Sequence, residues 1–397
     1  MKIVQINCAS FGSTGNIAKS IHRKVIENGG ESYIFFGGGI GDCAQNIIPI
    51  LPRFFMRMHA VLSRYTGYQG YFSSCYTRRL IRKIKKIQPD IIHLHNLHGS
   101  YLCLPILFRF LKKYNKKTIV TLHDCWLFTG KCPHFTEVNC EKWKTECNHC
   151  PQLSTYPKSL FFDRSKKLHK DKKKWFSDFE NLKIVAVSNW LRDMAKQSFL
   201  SQYSIQTVYN GVDENVFYPR LSQELKNKYR LENKFVILGV APAWTQKKGL
   251  RDFYKLSSML SKDDIIVLVG MTAEQIEKLP TNIIGIERTE SKDALAELYS
   301  MADVFLQTSL EETFGLVTAE AMACGTPAIV YNSTACAEIV DEKCGYIAEP
   351  KNIEQVYKFI QQEKKNPLKG TFKRIFSNSE MVKKYIELYG EYCDKKN

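Results

Sequence analysis

Short apolar runs rich in strand formers alternate with longer stretches of helical spacing along this chain, and that alternation predicts most of its elements. Lys2 to Asn7 reads as a strand, Gly12 to Gly15 as a loop and Asn16 to Asn28 as a helix. Ser32 to Phe36 follows as a second strand, closed by Gly37, Gly38 and Gly39. Further strands are expected at Asp90 to His95, Thr118 to His123 and Lys183 to Ser188. The second half repeats the theme at Phe235 to Val240, Ile265 to Gly270, Asp303 to Leu306 and Ala328 to Tyr331. Strands separated this regularly by helices imply parallel pairing, so the pattern predicts an α/β chain of two doubly wound domains. Ligands of such domains sit outside the carboxyl ends of the strands. A last helix is expected over Met381 to Tyr392, with Val382, Tyr385, Ile386 and Leu388 among polar residues.

The densest local pattern is Glu311 to Pro327, EETFGLVTAEAMACGTP. It follows a strand, passes through a glycine loop and enters good helix formers from Leu316 to Cys324, which stop at Gly325, Thr326 and Pro327. Such a loop turns backbone N–H groups and the positive end of a helix toward an anionic ligand. Glu312 and Glu320 both fall beside it. Two carboxylates add little to phosphate binding but suit the hydroxyls of a sugar and a ribose. Rival phosphate motifs are missing: Gly12 to Gly15 lacks G-x-G-x-x-G, and no G-x-x-x-x-G-K-[ST] occurs.

Composition changes this picture in three places. The 397 residues suit two or three domains, and 24% charged against 44% hydrophobic residues describes a globular chain. With no apolar run of 18 residues and an N-terminal stretch too short for a signal peptide, a cytoplasmic protein is expected. The net charge of +17 bunches in the first half, at Arg78 to Lys86, Lys112 to Lys117, Lys166, Lys167 and Lys170 to Lys174. A solvated surface and an anionic membrane or lipid-diphosphate acceptor both fit this bunching. Nucleic acid is set aside, because no zinc-finger, helix-turn-helix or RNP-type pattern accompanies the charge. The segment from Ile50 to Ile87 mixes Phe54, Phe55, Met56, Met58, Leu62, Tyr65, Tyr68, Tyr71 and Phe72 with basic residues. It reads either as an interfacial helix at the inner face of the membrane or as a helix pair packing its apolar side inward.

Two clusters carry further chemistry. Histidines gather as His93, His95 and His98, and as His123 beside Asp124; His93 and His95 alternate on one strand and share a face. Among thirteen cysteines, Cys132, Cys140, Cys147 and Cys150 fall within nineteen residues, in a Cys-rich insertion spanning 125–150. A tetrahedral structural zinc, reduced thiols and a redox or disulfide role all remain open for them.

Glu312, Phe314, Gly315, Glu320, Ala321, Ala323, Gly325, Thr326 and Pro327 together resemble the E-x7-E donor-site signature of retaining GT-B glycosyltransferases. Tyr209-Asn210-Gly211-Val212-Asp213 with Phe217 and Pro219 resembles the element that opens the second domain of those enzymes. The resemblance implies two Rossmann-like domains facing across a crevice. An acceptor-binding domain would take 1–206, a nucleotide-sugar domain 207–377, and a final helix 378–397 would pack back on the first. It also implies transfer of a sugar from a nucleotide-sugar to a saccharide or lipid-linked saccharide acceptor in surface polysaccharide biosynthesis, with retention. Exopolysaccharide and colanic-acid-type enzymes resemble it most, from the HDCW-to-SYP region and its cysteines.

Roles follow from the same likeness. Glu312 would hold sugar hydroxyls, the backbone from Phe314 through Gly315 and Leu316 to Val317 would meet sugar and phosphate, and Glu320 would bind the ribose. Lys248, with Lys247 in support, would stabilise the leaving diphosphate, and Gly12 and Gly15 would lie close to it. His123 would touch the transferred sugar and Asp124 would orient it or the acceptor, while His95 and His98 go with the acceptor. No cofactor is expected for catalysis, since Asp-x-Asp is absent. The chain departs from the pattern twice. Ala243 stands where an arginine usually shares the diphosphate, beside Trp244, and Ser333 to Glu338 replaces a usual Gly-Gly pair. Those departures motivate an alternative, a catalytically silent nucleotide-sugar-binding or assembly protein.

Overall fold

The structure is a computed structural model that describes residues 1–38, 45–220, 223–368 and 370–394. Gly39 and the last three residues of the final segment lie outside that set. The chain divides into two compact units, Met1–Tyr209 with Met381–Asn397, and Asn210–Glu380.

Unit 1 is built on seven strands: β1 (Lys2–Asn7), β2 (Glu31–Phe36), β3 (Ile47–Pro49), β4 (Ile91–Leu94), β5 (Lys117–Leu122), β6 (Leu182–Ala186) and β7 (Ile205–Thr207). They lie in the order β3-β2-β1-β4-β5-β6-β7, every pair parallel. Central strands are buried on both faces, which explains runs such as KIVQIN and KTIVTL that never alternate cleanly. The helix at the C-terminus, Asn378–Asp394, adds Met381, Val382, Tyr385, Leu388 and Tyr389 to the core around Ile3, Ile21, Ile91 and Val185.

Unit 2 holds six strands: β8 (Phe235–Val240), β9 (Asp264–Val269), β10 (Ile283–Ile286), β11 (Val304–Gln307), β12 (Ala328–Tyr331) and β13 (Gly345–Ala348). Their order is β10-β9-β8-β11-β12-β13, again all parallel. In each sheet the strand order reverses beside the first strand, between β1 and β4 and between β8 and β11. The loops leaving those strands flank the place where a doubly wound sheet takes its ligand.

Several expectations are corrected. Gly12 to Gly15 is the first turn of α1 (Gly12–Glu27), so the helix starts four residues earlier than its apolar spacing suggested. Within α2 (Arg53–Thr66) only His59 and Ser63 are buried, while Phe54, Phe55, Met58, Val61, Leu62 and Tyr65 face outward. The inward-packing reading therefore fails for α2. It holds for α3 (Ser74–Ile87), whose Leu80 and Ile84 are buried beneath an exposed basic face. In the helix Ser165–Phe176 the lysine run is not all surface, since Lys172 is fully buried.

Candidate active site

In unit 2, the loop after β8 carries Lys247 and Lys248, and the loop after β11 carries Glu311 and Glu312. The two loops are stitched together by backbone and side chain. Leu310 N–H donates to the Lys247 carbonyl at 3.3 Å, and the Thr308 hydroxyl to those of Lys248 and Gly249, each at 3.3 Å. Across this seam lie two ion pairs, Lys247 Nζ to Glu311 Oε2 at 3.1 Å and Lys248 Nζ to Glu312 Oε1 at 2.5 Å. Gln307 Nε2 donates to the same Glu312 oxygen at 3.1 Å, and the Glu312 N–H is capped by the Thr334 hydroxyl at 2.9 Å. Glu312 is thus held from both ends.

Gly315 follows with φ of +92°, and a Cβ there would stand 3.1 Å from Cys336 Sγ and 3.2 Å from Ile339 Cδ1. Only glycine meets both demands without strain. It lets the helix Leu316–Ala323 begin at once, leaving its first N–H groups at the end of the loop. Phe314 contributes backbone alone, because its ring is buried against Phe376. Glu320 accepts from the Tyr299 hydroxyl at 3.2 Å. Burial pushes its carboxyl up to about 7, and the Tyr299 hydroxyl pulls the other way.

Two residues at the departures noted in the sequence take structural roles. Trp244 is a core residue: its indole N–H donates to the Val269 carbonyl at 2.9 Å, and its ring meets Phe253 edge-on. Ser333 donates to the Leu310 carbonyl at 2.7 Å, so the segment replacing Gly-Gly braces the Glu312 loop through Ser333 and Thr334.

In unit 1 the histidines form a buried relay. Gln5 Nε2 donates to the Ala18 carbonyl at 3.0 Å, which turns Gln5 Oε1 toward His95 Nε2 at 3.1 Å. His95 Nε2 therefore carries a proton, and His95 Nδ1 accepts from His123 Nε2 at 3.1 Å. The lone pair of His123 consequently resides on Nδ1. Burial pushes His123 down to about 4, offset in part by Asp124, and holds His95 well below the usual range, so both rings are neutral near pH 7. His95, fully buried, stands behind His123 rather than on a surface that an acceptor reaches. His93 is also fully buried, between the Tyr389 hydroxyl at 2.6 Å and that of Thr121 at 2.8 Å.

A second chain is more accessible. His98 Nε2 meets Asp124 Oδ2 at 2.8 Å, His98 Nδ1 meets the Tyr156 hydroxyl at 3.0 Å, and Trp126 N–H donates to Asp124 Oδ1 at 2.8 Å. Burial alone would raise Asp124, but His98 and the Trp126 N–H bring it below the usual carboxylate range. Beside His98 and Tyr156 lies a cavity of about 280 Å³ that also meets Arg64, Gln69 and Lys158. Gly15 is buried in α1, where a Cβ would stand 2.6 Å from the Ser10 carbonyl carbon. Gly12 opens onto free space.

Comparison with known proteins now adds a decisive observation. Residues 19–216 match Glycosyltransferase Family 4 and residues 222–380 match Glycosyl transferases group 1. The chain is a glycosyltransferase of the GT-B fold. It is 25% identical to WcaC of Escherichia coli (strain K12), provisionally named a colanic acid biosynthesis glycosyl transferase, over 98% of this chain and 99% of that one. A shorter match, 32% over 174 residues, joins it to N-acetyl-alpha-D-glucosaminyl L-malate synthase of Bacillus anthracis, covering 42% of this chain and 46% of the relative. Among solved structures, Anabaena Alr3699/HepE in complex with UDP aligns with a TM-score of 0.70 at 14% identity, over 98% of this chain and 100% of the other. Both matched families are families of glycosyl-transferring enzymes. No helix among the chain's described residues is long and apolar enough to cross a membrane.

Sequence reasoning about this glycosyltransferase missed Gln307, Thr334, Tyr299, Gln5 and Tyr156. Each is a second partner to a residue it did find. None carries a local motif: Gln307 reaches Glu312 around the turn of one loop, and the others pair with residues 21 to 90 positions away.

Proposed function

We propose that this glycosyltransferase moves a hexose from a nucleotide-sugar to a lipid-linked saccharide acceptor at a membrane surface during polysaccharide synthesis, with retention at the anomeric carbon. The observation that carries the donor half is the seam of Lys248 and Glu312 beside the opening turn of the helix Leu316–Ala323. Sugar hydroxyls donate to Glu312, the diphosphate meets Lys248 and the helix N–H groups, and ribose hydroxyls donate to Glu320. As the bond from the anomeric carbon to the diphosphate breaks, negative charge builds on the departing phosphate. Lys248 and the N–H groups offset that charge from fixed positions. With Ala243 in place of an arginine, Lys248 carries more of this load, and its pairing with Glu312 fixes where its ammonium waits. UDP in the Anabaena relative and polysaccharide synthesis in the name of the Escherichia coli relative support this reading.

The acceptor half rests on unit 1. The cavity beside His98 and Tyr156 offers Arg64 and Lys158 to a phosphate and the Asp124–His98–Tyr156 chain to a sugar hydroxyl. His123, propped by His95, presents Nδ1 as an acceptor for a hydroxyl. The outward apolar residues of α2 are joined by Leu160, Phe161 and Phe162, with Tyr65 and Phe161 rings 5.7 Å apart. Arg53, Arg57 and Arg64 border this surface. Exposed aromatics rimmed by arginine suit the headgroup region of an anionic membrane, where a lipid-linked acceptor resides.

The test is transfer or hydrolysis from a panel of UDP-, GDP- and dTDP-sugars, with Glu312→Ala beside the native protein. One donor is expected to be consumed, and the variant should lose about 10²-fold in turnover. A protein inert toward every donor, or a variant as active as the native chain, overturns the reading.

A further inference from the structure

The segment from β5 through the helix Ser165–Phe176 holds a charge problem that the glycosyl transfer site does not explain. Lys131 is 3% exposed and Lys172 fully buried. Lys131 Nζ donates to the carbonyls of Gln152, Leu153 and Thr155 at 2.9, 3.2 and 3.1 Å. Lys172 Nζ donates to those of Trp126 and Thr129 at 2.5 and 3.0 Å and lies 3.4 Å from the centre of the Trp126 ring. Their neighbours Lys166 and Lys167 pair with Glu146 and Asp171. Among the described residues, the hydrogen-bond acceptors of Lys131 and Lys172 are neutral carbonyls alone. Burial among carbonyls acts against the charged form of both lysines.

The counter-charge lies next to them. Cys132, Cys140, Cys147 and Cys150, none in a disulfide, line one space of about 10 Å³, the room that a single water or ion takes, with Trp143 on its wall. The Gly130 N–H points at Cys147 Sγ, 3.2 Å away, and the Gln152 N–H points at the Cys150 sulfur. Burial raises the Cys132, Cys147 and Cys150 thiols, these donors offset part of that for Cys147 and Cys150, and a bound cation is what would hold them as thiolates.

We propose that Cys132, Cys140, Cys147 and Cys150 bind one zinc ion as a closed structural site whose net double negative charge is balanced by Lys131 and Lys172. Four thiolates and one Zn²⁺ leave a charge of minus two, and two ammonium groups cancel it. Binding forms four zinc–sulfur bonds and releases the thiol protons to solvent, with no change of oxidation state. Among the described residues no three His, Cys, Asp or Glu side chains already stand at metal-holding separation, so the ion has to draw the thiolates inward to zinc–sulfur distances of about 2.3 Å. The site has a consequence for the acceptor half. Lys131 clasps the carbonyls of 152–155 immediately before Tyr156, the partner of His98, so the metal centre fixes the chain that presents Tyr156.

The experiment is metal analysis of the full chain purified without added chelator, followed by thiol titration with a mercurial that releases bound metal. About one zinc per chain, freed in step with four thiols, is expected. Cobalt exchanged into the native protein should give the intense thiolate charge-transfer and tetrahedral bands, a readout that needs no variant to fold. Cys140→Ser should lower the cobalt thiolate intensity by about a quarter, in proportion to the ligands remaining. Less than about half an equivalent of zinc together with no tetrahedral cobalt spectrum overturns the site. So does a mass deficit showing that the four cysteines form disulfides.

Discussion

Replacing Glu320 with glutamine should erase a pH dependence of donor binding that the native chain displays. Glu320 lies against the Tyr299 hydroxyl, and burial holds its carboxyl at about 7 instead of 4.5. A ribose hydroxyl donating to this group favours the ionised form, so donor binding is coupled to loss of the proton. Near pH 6 only about a tenth of the chains hold the carboxylate, and near pH 8 about nine tenths do, so affinity should rise about tenfold between them. The sign agrees with stability. Because the folded carboxyl is raised, its contribution is complete below pH 4.5 and is lost as pH climbs through about 7, so the ligand-free protein should melt earlier at pH 8 than at pH 6 on this account. Calorimetric titration with a nucleotide-sugar is the suitable assay, since its diphosphate diester has no proton that titrates in this range. Glu320→Gln keeps the shape and a carbonyl acceptor but cannot ionise, and its affinity should be flat. A flat native profile, or an equal slope in the variant, refutes the assignment of Glu320 to the ribose.

Two further outcomes follow from geometry alone. Gly315→Ala places a methyl 3.1 Å from Cys336 Sγ at a φ of +92°, and should cost about 1–3 kcal/mol in urea unfolding while weakening donor binding; an unchanged midpoint refutes the strain argument. Phe54→Glu with Phe161→Glu should abolish co-sedimentation with phosphatidylglycerol vesicles yet leave turnover of a water-soluble acceptor intact, and full vesicle binding by the double variant refutes the membrane-facing assignment of α2.

What was legible in the sequence was what parallel sheets write locally. β1, β8 and β12 match their apolar runs at both ends, and the other central strands differ by a residue or two. The strands that the sequence left unread, β3, β7, β10 and β13, are the four sheet edges, three or four residues long. An edge needs fewer apolar positions, so it leaves less of a signal. The start of α1 was misplaced because Gly12 and Gly15 look like a loop by composition, whereas Gly15 is required by the Ser10 backbone at 2.6 Å. At the candidate site, Glu312, Glu320 and Lys248 could be picked out because they sit inside one motif or beside a glycine turn. Their partners Gln307, Thr334 and Tyr299 could not, since those contacts depend on register between strands and on loops meeting across the sheet.

The residues that composition alone could not sort are the ones that say most about ligands. A lysine run predicts a wet helix face, yet Lys172 goes into the core of unit 1. An aromatic-rich segment left burial and a membrane interface both open, and α2 turns its aromatics outward and buries His59 and Ser63. Both inversions run against the transfer free energies that fold a domain, so each needs a compensating partner. For α2 the partner we propose is an anionic membrane surface. For Lys172 and Lys131 it is the proposed zinc site of four thiolates. The basic half of the chain is therefore not uniformly a docking face. On the two proposals above, part of its charge would face a membrane and part would balance a metal centre, and only the outward part should weaken with added salt.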